Sequence, residues 1–119
     1  MSPATVSSSP LRGEVWMLNL DPTCGHEQPE TRPALILSVD AFNAGPADLV
    51  IVLPITNRGK GVRSHVAVQP PEGGLTVTSF IKCEDVRSVA KERLCKRLGD
   101  TSADTMSDVE DKLRILLNL

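Results

Sequence analysis

A chain of 119 residues, 40% of them apolar, can bury a single core without staples, and its net charge of −2 argues against a basic coat for nucleic acid. Its only aromatic residues are Trp16, Phe42 and Phe80, too few for a platform of stacked rings. Cys24, Cys83 and Cys95 form an odd set with no C-x-x-C pair and read as reduced thiols of a cytoplasmic protein, while no apolar run approaches the ~18 residues of a membrane helix.

Residues 1–11 are small and polar, have no apolar period and read as a disordered leader; residues 12–119 read as one domain. Gly13 to Leu20 alternates as a strand, stopped by Asp21-Pro22. A polar loop, Gly25 to Pro33, then holds His26, Glu27, Gln28, Glu30, Thr31 and Arg32 between a glycine and a proline. Ala34 to Val39 reads as a second strand, and Pro33 biases Arg32 before it to extended backbone. After a connection over Asp40 to Asp48 comes a nearly continuous apolar strand, Leu49 to Ile55, in which Pro54 predicts an edge or a bulge.

Thr56 to Ser64 carries Arg58, Lys60 and Arg63 among glycines with no acid. It could wrap an anionic partner or be a solvated hairpin loop. His65 to Gln69 reads as a strand, Pro70 to Gly74 as a turn, and Thr76 to Cys83 and Asp85 to Val89 as further strands. Lys91 to Arg97 can form a short helical turn stopped by Gly99. Ser102 is a plausible N-cap for a final helix, with Asp104 in its first turn and Met106, Val109, Leu113, Leu116 and Leu117 on one face. Many short strands followed by one helix imply a mainly β fold: a small, strongly curved antiparallel barrel or half-barrel.

By residue type alone, the loop from Gly25 to Pro33 suits proton transfer and anion binding, but such groups also populate inert surface loops, where Glu27 would merely orient Arg32. Thr56, at a strand end, could equally bond its local backbone. Cys24, His26, Glu27 and His65 lack a recognised ligand spacing, so neither metal nor cofactor is expected.

Arg12-Gly13-Glu14-Val15-Trp16, Leu20-Asp21-Pro22-Thr23, Gly25-His26-Glu27-Gln28, Thr31-Arg32-Pro33-Ala34, Phe42-Asn43, Pro54-Ile55-Thr56 and Val86-Arg87-Ser88-Val89 occur in this order, ahead of the terminal helix. In that order and spacing the chain resembles the MazF/PemK family of toxin endoribonucleases from about Arg12 to Leu119. The resemblance implies an SH3-like β-barrel of the CcdB/Kid/MazF kind with a C-terminal helix, working as a homodimer. It further implies cleavage of single-stranded RNA at short sequences without a metal, by attack of the 2'-hydroxyl, leaving a 2',3'-cyclic phosphate and a 5'-hydroxyl and so arresting translation and growth. An antitoxin of the MazE/PemI kind, with an acidic tail over the RNA site, is the expected partner.

The resemblance also assigns roles. Arg32 and Thr56 match the catalytic pair, Arg32 clamping the phosphate through its planar fork and Thr56 donating a hydrogen bond to it. A guanidinium stays protonated, so charge stabilisation suits Arg32 better than base catalysis. His26 is the first candidate base, as in the PemK/Kid branch, because histidine titrates near neutrality; Glu84 is the second. Glu27, Gln28, Asn57, Arg58, Lys60, Arg63, Ser79, Lys82 and Arg87 are the expected RNA contacts. Lys82 and Glu84 stand where the branch has Arg and Asp, and Asp85 stands where Gln is usual. These departures leave the alternative of a catalytically weakened antitoxin-binding module; the barrel shared with CcdB toxins leaves a gyrase poison as a further one, ranked last because the chain keeps the arginine and threonine of the ribonuclease branch.

Overall fold

The computed structural model describes residues 9–19, 31–59 and 61–119. Among these residues, seven strands, β1 (Glu14–Asn19), β2 (Thr31–Ile36), β3 (Leu49–Thr56), β4 (His65–Val68), β5 (Ser79–Lys82), β6 (Arg87–Ala90) and β7 (Leu94–Asp100), precede or flank two α-helices, α1 (Asp40–Asn43) and α2 (Ala103–Leu117). All pairings are antiparallel, in the order β4-β5-β3-β2-β1-β7, with β6 also on β3. The end strands β4 and β7 do not pair, so the sheet is curved but open, a half-barrel rather than a closed barrel.

Strand alternation explains why β2 and β3 are apolar on both sides. Leu35, Leu53 and Ile55 point into one cluster with Val15, Val66, Val68, Ile81 and the α2 residues Val109 and Leu113. Ala34, Ile36, Val50 and Val52 point the other way, with Leu18, under Trp16, Val89 and Leu94. Cys83 belongs to the first cluster, where burial and then the Glu84 charge push its thiol up to about 11. The side chain is thus a protonated packing group.

Pro54 corrects the edge-strand expectation: it is buried inside the central strand, paired with Ala34 of β2. On the other side of β3, the ladder to β6 ends at Val52 and the ladder to β5 starts at Ile55. Proline therefore falls at the step between two partners, where continuity is already broken. The stretch from Lys91 to Arg97 is a second correction. Only Lys91–Arg93 makes a 3-10 turn, and from Leu94 the chain is strand β7, paired with β1. Leu94 and Leu98, four residues apart, satisfy a helical and a strand period equally, and the partner strand decides.

In α2, Ser102 is the N-cap as expected, its Oγ accepting from the Thr105 amide at 3.1 Å. Val109 and Leu113 are buried and Met106 packs on the core, but Leu116 and Leu117 are exposed, contrary to the face expected for them. At Gly74, where φ is +71°, a Cβ would lie 2.0 Å from the Leu98 carbonyl oxygen, so only glycine lets this turn lie flat on β7. No described helix is long and apolar enough to cross a membrane.

Glu14 is a buried carboxylate at the start of β1. It accepts from the Leu11 amide at 2.8 Å, from Trp16 Nε1 at 2.9 Å and from Arg97 Nε at 2.8 Å. Burial alone would raise its pKa; these donors and the Arg97 charge outweigh that and hold it below the ordinary glutamate value. A depressed folded-state pKa stabilises at pH above the unfolded value, and the contribution disappears as pH falls through the folded one. Glu14→Gln is therefore expected to cost about 2 kcal/mol at neutral pH, with the gap to wild type shrinking in acid, as followed by urea unfolding across a pH series.

Candidate active site

The sheet brings the expected catalytic pair together. Arg32 lies on β2 opposite Leu18 of β1, and Thr56 ends β3 opposite Phe80 of β5. Both side chains line two adjoining grooves that share Arg32, Ile55 and Thr56 as their divide. The first groove, about 300 Å³, adds Arg58, Lys82, Asp85 and Arg87. The second, about 400 Å³, is more apolar, with Met17, Leu75, Val77 and Leu98 beside the polar side chains of Asn57, Thr76 and Ser79. The first suits a phosphodiester backbone, and the second suits an unstacked base whose edge needs a few donors and acceptors.

Each position has a local cause. The Arg58 amide donates to Thr56 Oγ1 at 3.1 Å, turning the chain sharply after β3. This hydroxyl therefore has a structural acceptor role, and its own proton remains to be donated elsewhere. Gly59 lies flat on the Phe80 ring, where a Cβ would come within 2.3 Å of Cδ2, so the basic loop can approach β5 this closely only with glycine. Ser79 is buried, and its Oγ donates to the Val77 carbonyl at 2.9 Å, which shapes the rim of the second groove.

Of the residues expected from sequence, Arg32, Thr56, Arg58, Lys82 and Arg87 meet in the first groove, and Asn57 and Ser79 in the second. Arg63 is exposed and lines neither. His26, Glu27, Gln28 and Lys60 lie outside the described residues. Glu84 lines neither groove. Its carboxylate accepts from Ser64 Oγ at 2.5 Å and lies 3.1 Å from His65 Nε2. Burial raises its pKa, but the hydrogen bonds from Ser64, the backbone and His65 prevail and hold it below the ordinary glutamate value. The buried Nδ1 of His65 has no hydrogen-bond partner among the described residues. The trio fastens the end of the basic loop to the turn between β5 and β6.

Sequence reading marked Asp85 as a departure from the family's usual Gln but gave it no role in the site. Among the described residues it is the one carboxylate lining the first groove, where it accepts from Arg87 Nη2 at 3.0 and 3.1 Å and from Arg87 Nε at 3.3 Å, with Lys82 Nζ 3.7 Å away. The signal was present as an acid three residues after one cation and two before another. Among the described residues, no three His, Cys, Asp or Glu side chains cluster so as to hold a metal ion.

The chain is similar to known proteins over nearly its whole length. The family model described as the PemK-like, MazF-like toxin of type II toxin-antitoxin systems matches residues 11–117. The Escherichia coli endoribonuclease PemK is 38% identical over 108 residues, covering 89% of this chain and 80% of its own. The crystal structure of MazE-MazF from Deinococcus radiodurans superposes with a TM-score of 0.80 at 33% identity, over 95% of this chain and 99% of that one. An endoribonuclease in complex with its cognate antitoxin, from Mycobacterial species, superposes with a TM-score of 0.74 at 25% identity, over 94% and 96%. An open antiparallel sheet closed off by a C-terminal helix, an arginine and a threonine meeting at one groove, and these matches over nearly the whole chain together place it in the PemK-like, MazF-like family of type II toxin-antitoxin toxins.

Proposed function

We propose that the chain is an endoribonuclease that cuts single-stranded RNA in the cytoplasm, without a metal ion, by driving a 2'-hydroxyl onto the neighbouring phosphorus. The products would be a 2',3'-cyclic phosphate and a 5'-hydroxyl. The observation that carries this reading is that Arg32 and Thr56, far apart in sequence, form the divide between a cationic groove and an apolar one. A phosphate on the divide would meet the Arg32 fork and the Thr56 hydroxyl, two donors aimed at the charge that grows on its oxygens in the transition state. The flanking backbone would follow Arg58, Lys82 and Arg87, and the adjoining base would enter between Leu75, Val77 and Leu98.

As the bond from the 2'-oxygen to phosphorus forms and the bond to the 5'-oxygen breaks, a base must take the 2'-hydroxyl proton and the departing 5'-oxygen must receive one; we assign the first transfer to His26, because an imidazole can exchange protons near neutrality, and the second to solvent water. Glu84 serves the site differently, by tethering Ser64 and His65 to the turn that carries Lys82 and Asp85. Glu84→Gln is accordingly expected to lower kcat/KM less than about tenfold, whereas loss of a general base costs about 10²–10⁴-fold. Steady-state cleavage of a fluorogenic RNA distinguishes the two.

In this reading the protein acts as a homodimer and is silenced by a cognate antitoxin whose acidic segment competes with RNA for the groove. Arg32, Arg58, Lys82 and Arg87 suit either polyanion. The direct test incubates purified, antitoxin-free protein with a long single-stranded RNA in EDTA and maps the cuts and their end groups. Cuts at one short motif with cyclic-phosphate ends are expected. Intact RNA would instead favour a binding module without activity.

A further inference from the structure

A carboxylate in the middle of a groove meant for phosphates needs a reason. The ion pairs of Asp85 with Arg87 and Lys82 are partly exposed, with side-chain exposures of 28%, 42% and 34% for the three residues. Pairs this open to solvent add little to stability. Their effect must be sought in what the two cations would otherwise bind. Asp85 Oδ1 accepts from Arg87 Nε at 3.3 Å and from Nη2 at 3.1 Å, and Oδ2 accepts from Nη2 at 3.0 Å, so the carboxylate occupies the Nε–Nη2 edge through which a guanidinium can take two phosphate oxygens.

Building on the proposed function, we infer that Arg87 and Lys82 form a second phosphate subsite, next to the one on Arg32 and Thr56, and that Asp85 fills it as a stand-in anion until RNA displaces it. Three observations converge. Arg87, Lys82 and Asp85 line the same groove as Arg32 and Thr56, so a nucleotide chain held at the divide continues onto them. Asp85 is anchored by the backbone: its amide donates to the Lys82 carbonyl at 3.0 Å, which fixes the turn and keeps the carboxylate between the two cations. Glu84, the neighbouring acid, is turned away and held by Ser64 and His65, so the groove has Asp85 alone among the described residues as an internal counter-ion.

The stand-in sets a threshold. A phosphate entering the subsite must displace Asp85 and leave a carboxylate nearby, which opposes binding and retains a cation that would otherwise be released. Asp85→Asn keeps the shape and one acceptor but removes the charge. It is expected to bind RNA about three- to tenfold more tightly at low salt, with a salt dependence steeper by about 0.7 in the log-log slope.

The experiment measures fluorescence anisotropy of a labelled, mixed-sequence 2'-O-methyl RNA, which lacks the attacking hydroxyl, with wild type, Asp85→Asn and Arg87→Gln across a potassium chloride series. Thermal melts confirm that each variant is folded. Tighter binding and a steeper slope for Asp85→Asn, with weaker binding for Arg87→Gln, support the subsite and its stand-in. Unchanged or weaker binding for Asp85→Asn overturns the inference while leaving the proposed function standing, because Asp85 would then be a brace that positions the cations for RNA. Failure of the wild-type protein to bind RNA at any salt concentration overturns both.

Discussion

Arg32→Ala is expected to reduce RNA cleavage by at least about 10³-fold while leaving the protein folded. In the proposed reaction the guanidinium does two things at once: it fixes the phosphate in line with the attacking oxygen, and it meets the negative charge that builds during attack. Alanine removes both, and the other cations of the first groove, Arg58, Lys82 and Arg87, do not line the second groove and so stand off the divide. Arg32→Lys keeps the charge but loses the planar fork and should recover only part of the rate. The side chain is exposed on β2, so the melting temperature of Arg32→Ala should stay within about 4 °C of wild type. Single-turnover cleavage with saturating protein, alongside a thermal melt, separates lost chemistry from lost structure. Cleavage at the normal rate by folded Arg32→Ala would remove the assigned site.

The second large effect is structural. Asn43→Ala is expected to destabilise the fold by about 3 kcal/mol, a fall of roughly 10–15 °C in melting temperature, with cleavage below that temperature close to wild type. Asn43 is fully buried at the end of α1. Its Oδ1 accepts from Ser38 Oγ, and its Nδ2 donates to the carbonyls of Pro10 and Ser38, each at 3.0 Å. Ser38 Oγ in turn accepts from the Ile51 amide of β3 at 3.0 Å. One amide thus ties the chain before β1 to the connection between β2 and β3. Alanine would take the Asn43 donor from two buried carbonyls, leave the Ser38 hydroxyl proton without its acceptor and open a small cavity. Asn43→Asp adds a sign test: its carboxylate would face two carbonyl oxygens, so the variant should be less stable at neutral than at acid pH, where the protonated group can donate again. Urea unfolding of both variants at two pH values checks the assignment.

Asn43 also illustrates how motif and function can part. Phe42-Asn43 is among the short stretches that carry the resemblance to the toxin family, yet its amide works as a structural tie remote from Arg32 and Thr56. Glu14, in the opening Arg12-Gly13-Glu14-Val15-Trp16 stretch, behaves likewise, gathering Leu11, Trp16 and Arg97 at the start of the sheet. Part of what makes the family recognisable is thus the cost of burying polar groups correctly.

The alternation of apolar residues determined by itself that this chain would build short antiparallel strands with a terminal helix, and the Ser102 cap and the Val109 and Leu113 stripe placed that helix. Arg32 and Thr56 were singled out by the family resemblance that the ordered motifs carry, whereas residue type and spacing alone left Thr56 an equally good partner of its own backbone. Tertiary structure alone decided the rest. Leu94 and Leu98 fit a helix and a strand equally until β1 supplied a partner, and Pro54 could sit in the central strand only because β6 and β5 share that edge of β3 end to end. Leu116 and Leu117 have the right helical spacing for the core, yet they stay exposed, since spacing says nothing about how far along the helix the core extends. The two adjacent acids are the sharpest case: Glu84 is drawn to Ser64 and His65, while Asp85 enters the groove between Arg87 and Lys82. Neighbours one residue apart at a turn take different partners, and which one lines the groove depends on cations and loops brought up from distant parts of the chain.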